Sequence, residues 1–557
     1  MKDTKEAISE LLSKHVGLEK DKITSLIEVP PDPNLGDYAF PCFILAKEFR
    51  KSPAEIATEL AKKLSKVIFI SKEISEVKAI NGYLNFFIDK KPLVENIINK
   101  ILKEKEKYGK GKEKGKIALE HTSLNPNSSP HVGRARNSFI GDSLKKILGF
   151  MGFKVETYYY VNDVSKQIAI MALDSKGKET FEQLLNLYVN ANKKFEQNPE
   201  LEKKVFDLLS KFEAGDKKTT ALFKKIVDVA VKGQRKILED LGIKFDKFDY
   251  ESKYIRSEKS ILKDFEKTKR LFKDDEGRLV LNQEGFGLEN KMKSPMLVLA
   301  RSNGTGLYPL RDIAYTLDKL KRCKKTLIVL GEDQKLYFEQ IKAALKILSK
   351  PSPEVVHYSY VLIQTEEGAE KMSTRKGELV LLEDFMKEAR EKAEKEIAKR
   401  KTKGDARKVG YGAVKYMILK NDPDKNIIFN WEQALNFEGN TGPYLQYTYA
   451  RANSILEKSK AKIPAKIKIL SLHKKEIELA KKLAEFPQAV EHAYNQLNPS
   501  IIANYSFQLC QIFNEFYHEC PVIFSKEEEQ RLCLVKAFMS VQKSALSLLG
   551  IDVLEEM

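Results

Sequence analysis

Residues 117–161 read IALEHTSLNPNSSPHVGRARNSFIGDSLKKILGFMGFKVETYYYV. The apolar run at 117–121 predicts a buried strand, and the polar segment at 125–130 predicts a turn. A helix is predicted from His131 onward, because apolar residues recur there at helical spacing. The run at 153–161 predicts a second strand. A strand, a helix and another strand in this order indicate half of a parallel, nucleotide-type sheet.

The predicted sheet continues towards the C terminus. Further strands are predicted from apolar runs at 296–301, 326–330 and 355–362. The Asn303-Gly304 pair is typical of a tight hairpin, and helical spacing predicts a helix at 335–348. The segment from about 173 to 291 is charged and has helical patterns, so we interpret it as a helical insertion between the two parts of the sheet.

The flanks of this sheet indicate further domains, as expected for a chain of 557 residues. Helix and strand patterns alternate before the sheet, whereas helix patterns dominate beyond Asp384. We therefore predict a multidomain α/β protein with a Rossmann-like parallel-sheet catalytic domain. The predicted domains are a small α/β N-terminal domain with a linker at 1–115, the catalytic domain at 116–400 and an all-α C-terminal domain at 401–557.

Composition restricts the class of protein and its compartment. Lys and Arg number 97 against 79 Asp and Glu, a formal charge of +18, which favours a polyanionic partner or reflects a lysine-rich background. The five cysteines contain no Cys-x-x-Cys pair, so neither a disulfide framework nor a four-cysteine zinc site is indicated. The sequence shows no signal peptide and no run of membrane-spanning length. We expect a cytoplasmic protein with no membrane partner.

Two short phosphate-handling signals lie far apart in the chain. Pro130-His131-Val132-Gly133-Arg134 falls at the predicted start of a helix, where unpaired N–H groups attract phosphate. The second signal, KMSTRKG at 371–377, holds three cations and two hydroxyls and fits a loop that closes over a triphosphate. Taken singly, the first is also typical of a capped helix with a buried imidazole, and the second of a basic surface turn. Together they predict an ATP site that makes adenylates.

This pair of signals resembles the HIGH and KMSKS signatures of class I aminoacyl-tRNA synthetases. Longer stretches are similar to the arginyl-tRNA synthetases within that class. They are EHTSLNPN at 120–127, HVGRARN at 131–137, YYYVND at 158–163, EGNTGPYLQY at 438–447 and LLGI at 548–551. Residues 36–39 and 81–85, which read GDYA and NGYLN, look like that family's added N-terminal domain.

The resemblance implies an arginine–tRNA ligase that uses ATP with Mg²⁺ and needs no zinc or organic cofactor. Arginyl-adenylate would form from ATP and L-arginine, and the arginyl group would pass to the 3′ end of tRNA(Arg). The implied catalytic residues are His131, Arg134 and Lys371. The implied ATP-binding residues are His131, Val132, Gly133, Arg134, Lys371, Met372 and Ser373. We predict no metal-ligating residue.

An arginine pocket needs a carboxylate to meet the guanidinium and a flat or polar group beside the side chain. By resemblance these are Asp312 and Tyr308, although each taken alone is also typical of an ordinary hairpin or helix cap. The resemblance further assigns Gln334 to this pocket, and Ser123 and Asn125 to the α-amino end of arginine. A pocket of this kind rejects analogues by roughly 10⁴–10⁵ without proofreading. We therefore expect the insertion to support the structure or contact tRNA rather than edit.

Arg134 stands where the family's first signature usually has a second histidine. Arginine keeps its proton at neutral pH, so we expect it to neutralise phosphate rather than donate a proton. In the C-terminal domain, Tyr447 and Arg451 are candidates for tRNA contact, since aromatic side chains beside cations can stack on unpaired bases. At helical spacing such aromatics are also typical of a core. We expect a monomer.

Three alternatives share parts of these signals. A class I synthetase for another amino acid would have both signatures but no need of Asp312. A small-molecule nucleotidyltransferase would use the helix start but have little use for a basic helical C-terminal region. A non-catalytic RNA-binding relative would keep the fold and tolerate the loss of His131 and Lys371.

Overall fold

Two units make up the chain, which is described here by a computed structural model for residues 2–66, 74–198, 200–365, 368–371, 374–375 and 378–557. In the described part of 363–379 only the backbone is considered. The smaller unit comprises Met1–Gly109, Thr448–Gln488 and Gln508–Ser544. The larger unit comprises Lys110–Tyr447, Ala489–Phe507 and Ala545–Met557.

The α-helices and strands of the described residues are numbered in chain order. The helices are α1 (Lys2–Val16), α2 (Lys20–Leu26), α3 (Ala46–Phe49), α4 (Pro53–Leu64), α5 (Lys90–Glu104), α6 (Val132–Met151), α7 (Lys166–Asp174), α8 (Phe181–Gln197), α9 (Glu200–Glu213), α10 (Lys217–Asp240), α11 (Glu258–Lys267), α12 (Tyr308–Arg322), α13 (Lys335–Ile347), α14 (Leu382–Arg400), α15 (Ala406–Leu419), α16 (Trp431–Ala434), α17 (Gly442–Lys458), α18 (Lys474–Ala484), α19 (Phe486–Asn495), α20 (Ser500–Glu519) and α21 (Glu528–Leu548). The strands are β1 (Tyr38–Pro41), β2 (Ile74–Ile80), β3 (Tyr83–Ile88), β4 (Lys116–Glu120), β5 (Lys154–Val161), β6 (Lys247–Tyr250), β7 (Leu271–Lys273), β8 (Leu279–Asn282), β9 (Met296–Ala300), β10 (Lys325–Gly331), β11 (Glu354–Tyr358), β12 (Val361–Thr365), β13 (Gly368–Lys371), β14 (Thr374–Arg375), β15 (Glu378–Leu379) and β16 (Ile427–Phe429).

The core of the larger unit is a five-stranded sheet in the order β11-β10-β4-β5-β6, in which every neighbouring pair is parallel. Central strands of a parallel sheet are covered on both faces, which accounts for the nearly continuous apolar sequences of β4 and β10. From β4 the chain moves outward to β5 on one side and later returns to β10 on the other. This change of direction opens a crevice at the carboxyl ends of β4 and β10, where ligands bind in such sheets.

Helix α6 joins β4 to β5 and begins at the first phosphate signal, as predicted. Its C-terminal cap is Gly152, which has a φ of 110°. A Cβ at this position would lie 2.6 Å from the carbonyl oxygen of Glu113, so a side chain is excluded both by backbone conformation and by space. The sequence therefore fixes where this helix ends and the next strand begins.

Some strands differ from the sequence expectation. The strand predicted at 296–301 is β9, but it belongs to an antiparallel sheet with β7 and β8 and not to the parallel sheet. The run predicted as one strand at 355–362 forms β11 and β12, which lie in different sheets. Strand β16 interrupts the region expected to be helical beyond Asp384, and it pairs in parallel with β12. The reason is the same in each case, because short apolar runs do not carry the identity of their partner strands.

The segment interpreted as an insertion is mainly helical and includes α8, α9 and α10. It also contains β6, which adds an edge to the parallel sheet, and the hairpin of β7 and β8. The insertion therefore contributes to the main sheet as well as covering it.

The C-terminal residues 545–557 belong to the larger unit. The buried ammonium of Lys415 donates to the carbonyl oxygens of Leu241 and Gly550, at 3.0 and 2.7 Å. The side-chain amide of Gln446 donates to the carbonyl oxygen of Asp552 at 2.8 Å. Side chains of the central helices thus bind the backbone of the last segment.

The smaller unit contains an antiparallel sheet in the order β1-β3-β2. Helix α4 begins with a capping box in which Ser52 and Glu55 satisfy each other's backbone N–H groups, with Pro53 in the first helical turn. Later segments are bound to this N-terminal part: Asn99 exchanges two hydrogen bonds with the backbone of Ile467, and Lys481 donates to Asp37 at 3.0 Å. None of the helices described in the structure is long and apolar enough to cross a membrane.

Candidate active site

The carboxyl edge of the parallel sheet carries the residues singled out in the sequence. Glu120 ends β4, Tyr160 lies near the end of β5, and Gln334 lies in a short turn directly after β10. Helix α12 brings Tyr308 and Asp312 to the same region, where Asp312 interacts with Tyr160 and Glu120. Asp312, Tyr160 and Glu120 therefore lie together at this edge of the sheet.

The loop after β4 holds an unusual backbone conformation. Thr122 and Ser123 are consecutive non-glycine residues with φ angles of 72° and 43°. Asn137 stabilises this arrangement, since its side chain accepts from the N–H of Thr122 at 2.8 Å and donates to the carbonyl oxygen of Val329 at 3.0 Å. Backbone of this kind costs of order 1–3 kcal/mol and persists only where its surroundings hold it. The loop is thus held rigidly where a ligand would contact it.

Ser123 and Asn125, the residues assigned to the α-amino end of arginine, lie on this loop. The hydroxyl of Ser123 accepts from the N–H of Tyr160 at 3.1 Å, so its own proton remains available to donate. The side chain of Asn125 is exposed at the loop surface. Both residues are therefore positioned for a polar ligand.

Gln234, on α10 in the insertion, is a functional candidate that sequence reasoning missed. It is fully buried, and its amide nitrogen donates to the carbonyl oxygens of Asn125 and Ser128 at 2.9 and 2.8 Å. Its amide oxygen accepts from the hydroxyl of Tyr159 at 2.9 Å. All of its bonds run to residues more than 70 positions away, so no local pattern could reveal them. The insertion supports the active-site loop through this residue.

His131 occupies the N-cap of α6 and is partly buried. Withdrawal from water, together with the nearby charge of Arg134, lowers the pKa of His131 to about 4. Within the described residues, Nδ1 of His131 is buried and has no hydrogen-bond partner. The imidazole is therefore neutral at physiological pH and can offer a hydrogen bond rather than a charge.

Backbone hydrogen bonds join the first phosphate signal to the segment that directly follows the second. The N–H of Val132 donates to the carbonyl oxygen of Val380 at 3.0 Å, and the N–H of Leu382 donates to the carbonyl oxygen of Pro130 at 2.8 Å. His131 forms a β-bridge with Leu381 between these two bonds. The first signal is thus held beside the segment that directly follows the second.

The described residues of the second signal lie in short strands. Lys371 ends β13, which pairs with β12, and β14 pairs with β15 immediately before Val380. Met372 and Ser373 lie outside the described residues.

Not every N–H at the start of α6 is available for phosphate. The N–H of Val132 is bound to Val380, and those of Arg134 and Ala135 donate to the carbonyl oxygen of His131. The expectation of a helix terminus with free N–H groups therefore needs correction for these positions. The N–H of Val132 anchors the backbone to Val380 instead.

Asp312 and Tyr308, two of the residues predicted for the arginine pocket, lie among acidic and aromatic side chains. Asp312 accepts a hydrogen bond from the hydroxyl of Tyr337, and loss of water raises the pKa of Asp312 to about 6, with the negative charge of Glu120 adding to the effect. Tyr308 lies one helical turn before Asp312, is 56% exposed, and has its ring 5.2 Å from that of Tyr337. An aromatic wall and an ionised carboxylate are the groups that a guanidinium requires.

Glu120 is a second carboxylate of this pocket that the sequence did not single out. Its carboxylate forms a buried ion pair with the ammonium of Lys319. Beside this pair, the rings of Tyr160 and Tyr315 stack with centroids 4.2 Å apart and planes 8° apart. Glu120 follows a buried apolar run at the end of a strand, so its sequence neighbours do not indicate this role. The fold is needed to bring α12, which carries Lys319, against β4.

Arg311, which is adjacent to Asp312, binds the start of α12 to neighbouring segments. It is buried and lies within 3.0 Å of three carboxylates and one carbonyl oxygen, those of Glu213, Glu251, Glu258 and Gly306. Burial and the neighbouring Asp312 raise the pKa of Glu251 to about 8, against the opposing effect of Arg311. The insertion is thereby tied to the helix that carries Tyr308 and Asp312.

Arg136, on the first turns of α6, is also fully buried. Its guanidinium donates to the carbonyl oxygens of Ser359, Asp422 and Lys425 at 2.6–2.8 Å. This cation therefore has a structural role, in contrast to Arg134. It connects the helix that begins at His131 to the region that follows the predicted catalytic domain.

The residues predicted for tRNA contact lie on α17. Tyr447 is partly buried. Arg451 donates to Asn514 at 2.6 Å, and its guanidinium lies 5.8 Å from the ring centre of Tyr517. Phe524, which the sequence reasoning did not single out, is 96% exposed and has a φ of 63°. An exposed aromatic on a constrained loop is a suitable platform for an unpaired base.

Comparison with known proteins places these observations in a family. Residues 97–431 match the family model described as tRNA synthetases class I (R), catalytic domain. Residues 445–557 match the DALR anticodon binding domain, and residues 2–88 match the arginyl tRNA synthetase N terminal domain.

Full-length relatives agree with these matches. The chain is 39% identical to the arginine–tRNA ligase of Methanocaldococcus jannaschii over 98% of this chain and 97% of the relative. It is 36% identical to the arginine–tRNA ligase of Clostridium perfringens over the whole of both chains. Among solved structures, Thermus thermophilus arginyl-tRNA synthetase is similar with a TM-score of 0.76 at 26% identity, covering 100% of this chain and 99% of that one.

Proposed function

The chain belongs to the arginyl-tRNA synthetase family and catalyses the ATP-dependent ligation of arginine to tRNA, and from that premise we propose how its residues divide the reaction. This activity sets aside the three alternatives that the sequence left open. The observation that carries the residue assignments is the junction of the two signatures beside an acidic, aromatic pocket. The carbonyl oxygen of Val380 and the N–H of Val132 form that junction at 3.0 Å.

The first step joins arginine to the nucleotide. A carboxylate oxygen of arginine attacks the α-phosphorus of ATP, the bond to the bridging oxygen breaks, and pyrophosphate leaves with that electron pair. ATP enters as its Mg²⁺ complex. Asp312 and Glu120 hold the guanidinium against Tyr308, with Gln334 at the same edge, while Ser123 and Asn125 orient the α-amino group. Fixing both reactants in this way supplies much of the rate enhancement.

The charge that develops on the phosphates is met by residues of the two signatures. Neutral His131 donates a hydrogen bond from its imidazole, and Arg134 and Lys371 supply positive charge. Gly133, Met372 and Ser373 complete the ATP site in this proposal, and Val132 holds its backbone in place. No covalent intermediate with the enzyme is required.

The second step transfers arginine to tRNA. A ribose hydroxyl at the 3′ end attacks the carbonyl carbon of the adenylate, the hydroxyl proton is lost, and AMP leaves. We assign the rest of the tRNA to the helical C-terminal region, which carries the candidates Tyr447 and Arg451 and the exposed Phe524. The N-terminal domain contacts another part of the tRNA.

We retain the domain division at 1–115, 116–400 and 401–557, a monomeric enzyme and a cytoplasmic location as parts of this proposal. The insertion is assigned to structural support and not to editing. The burial of Gln234 favours that assignment, since its amide nitrogen donates to two carbonyl oxygens of the loop after β4.

Exchange of radioactive pyrophosphate into ATP tests the proposal. Each of the amino acids is supplied in turn, with and without tRNA(Arg), and arginine should be the one good substrate. Equal exchange with another amino acid would contradict the assigned pocket. Exchange that needs no amino acid would contradict the adenylation step itself.

A further inference from the structure

Lys319 lies two helical turns beyond Asp312 on the same face of α12. Its side chain is 1% exposed, and its ammonium forms an ion pair with Glu120, whose side chain is 11% exposed. The ammonium also lies 4.1 Å from the ring centre of Tyr315. A lysine is almost never buried to this extent without a partner, so the pair and the ring determine where this cation sits.

Apart from Glu251, which is paired with Arg311, the site therefore contains two carboxylates, Glu120 and Asp312, and one internal cation, Lys319. Two carboxylates in one site oppose each other's ionisation, and one of them takes up a proton unless a positive charge compensates. Lys319 supplies such a charge before any substrate enters. The count of Glu120, Asp312 and Lys319 leaves one net negative charge, which equals the single positive charge of a guanidinium.

The surroundings of Asp312 contain few other ionisable groups. The titratable and charged groups that face it from the elements packed around it are Glu120, Lys319, Glu251, Tyr160 and Tyr337, with Tyr308 behind Tyr337. Glu251 is engaged with Arg311 at 3.0 Å. Within this set, Lys319 is the nearby cation whose charge favours an ionised Asp312.

We propose that Lys319 is a positioning residue for arginine: its ion pair with Glu120 compensates that carboxylate and leaves the pocket with one net negative charge, on Asp312, for the guanidinium. The inference rests on the assignment of Asp312 to the arginine pocket. A purely structural ion pair is the competing explanation, since buried pairs can often be replaced by apolar side chains without loss of stability. The two explanations differ in the pH dependence of arginine use.

The test is the pH profile of kcat/KM for arginine in pyrophosphate exchange, with tRNA present, for four proteins beside the wild type. Lys319→Met should shift the midpoint of the acid limb to a pH about one unit higher, since Asp312 loses the cation that favours its ionised form. Glu120→Gln should shift this midpoint to a lower pH. The double variant Glu120→Gln/Lys319→Met should return it close to the wild-type position, and Lys319→Arg should leave it there.

The variants are compared by the pH at which the acid limb falls and not by the maximum value of kcat/KM. Loss of a direct contact between Glu120 and arginine lowers that maximum and therefore does not obscure the result. The KM for ATP should stay within about twofold throughout. If Lys319→Met does not fold, Glu120→Gln and the double variant, which lacks both charges, still provide the comparison. A limb that stays in place in these variants, with only the melting temperature changed, would overturn the proposal. Failure of the pocket assignment itself shows separately, as wild-type exchange that does not depend on arginine.

Discussion

The N–H of Val132 donates to the carbonyl oxygen of Val380, although the two residues are far apart in the sequence. Val132 begins the helix after His131, and Val380 follows the strand that closes the second signature. A second backbone bond, from Leu382 to Pro130, belongs to the same junction. The first signature is therefore joined through its backbone to the segment that follows the second.

Replacement of His131 should reduce turnover and leave the fold intact. His131→Ala is expected to lower kcat for pyrophosphate exchange by roughly 10²–10³, the usual loss of a transition-state hydrogen-bond donor. His131→Asn should recover part of the activity, because the wild-type imidazole is neutral and donates without a charge. His121→Asn is the matched control: its ring is buried against Phe245, so the melting temperature should fall. If His131→Ala lowered the melting temperature as much as His121→Asn does, His131 would be a core residue and not a catalytic one.

The raised pKa of Asp312 predicts an acid limb for arginine use. Arginine requires the ionised carboxylate, so kcat/KM for arginine should fall tenfold per pH unit below about pH 6 in the wild type. Asp312→Asn should abolish arginine-dependent exchange at every pH, while ATP still protects the protein against heat. Arginine-dependent exchange that survives this change would remove Asp312 from the pocket.

The same group should oppose stability above its pKa. The folded protein binds the proton of Asp312 more tightly than the unfolded chain does, so the contribution of this residue to stability is lost as pH rises from about 4 through 6. Without ligand, Asp312→Asn should therefore melt about 1–2 °C above the wild type at pH 8, and this advantage should disappear near pH 4. A constant difference at both pH values would show that the effect is not one of ionisation.

Gln234 should affect catalysis without contacting substrate. Gln234→Leu leaves the carbonyl oxygens of Asn125 and Ser128 without this donor, at about 1–3 kcal/mol each, and frees the strained loop above them. We expect kcat/KM for arginine to fall about 10–100-fold in pyrophosphate exchange. Gln542→Leu is the matched control, because Gln542 is equally buried in the smaller unit and its amide has no hydrogen-bond partner among the described residues. It should leave exchange unchanged; similar losses in both variants would indicate a general defect.

Phe524 should act on tRNA alone. If its ring stacks on a base, Phe524→Ala should raise the KM for tRNA in aminoacylation about tenfold, with kcat changed less than twofold. The control is Leu470→Ala, since Leu470 is 70% exposed in the same unit and cannot stack. An unchanged KM for tRNA in Phe524→Ala would exclude the ring from the contact.

The sequence predicted the parts of the fold that local patterns determine. Residues 117–161 specify β4, α6 and β5, because their apolar spacing changes from strand to helix and back. The membership of β9 could not be predicted, since an apolar strand of five residues carries no mark of its partner. Tyr308 and Asp312 were identified by resemblance, and the structure adds that they lie one turn apart at the start of a helix.

The supporting residues of the site were beyond sequence reasoning for a related reason. Glu120, Lys319 and Gln234 acquire their roles from partners that are 75 to 199 positions away. A buried glutamine or an ion pair leaves no periodic signal along the chain. The groups that touch substrate were therefore recognisable from motifs, whereas those that hold the groups in place needed the fold.

The attachment of Gly550 and Asp552 to Lys415 and Gln446 has a consequence for synthesis on the ribosome. The parallel sheet and α15 leave the ribosome long before residue 550 does, yet one acceptor of the buried Lys415 ammonium comes from that residue. Until Gly550 emerges, the Lys415 ammonium has only the earlier-made of its two backbone acceptors, the carbonyl oxygen of Leu241. Domains generally fold in order as they emerge, but here the earlier-made part gains its second acceptor only after residue 550 has been added.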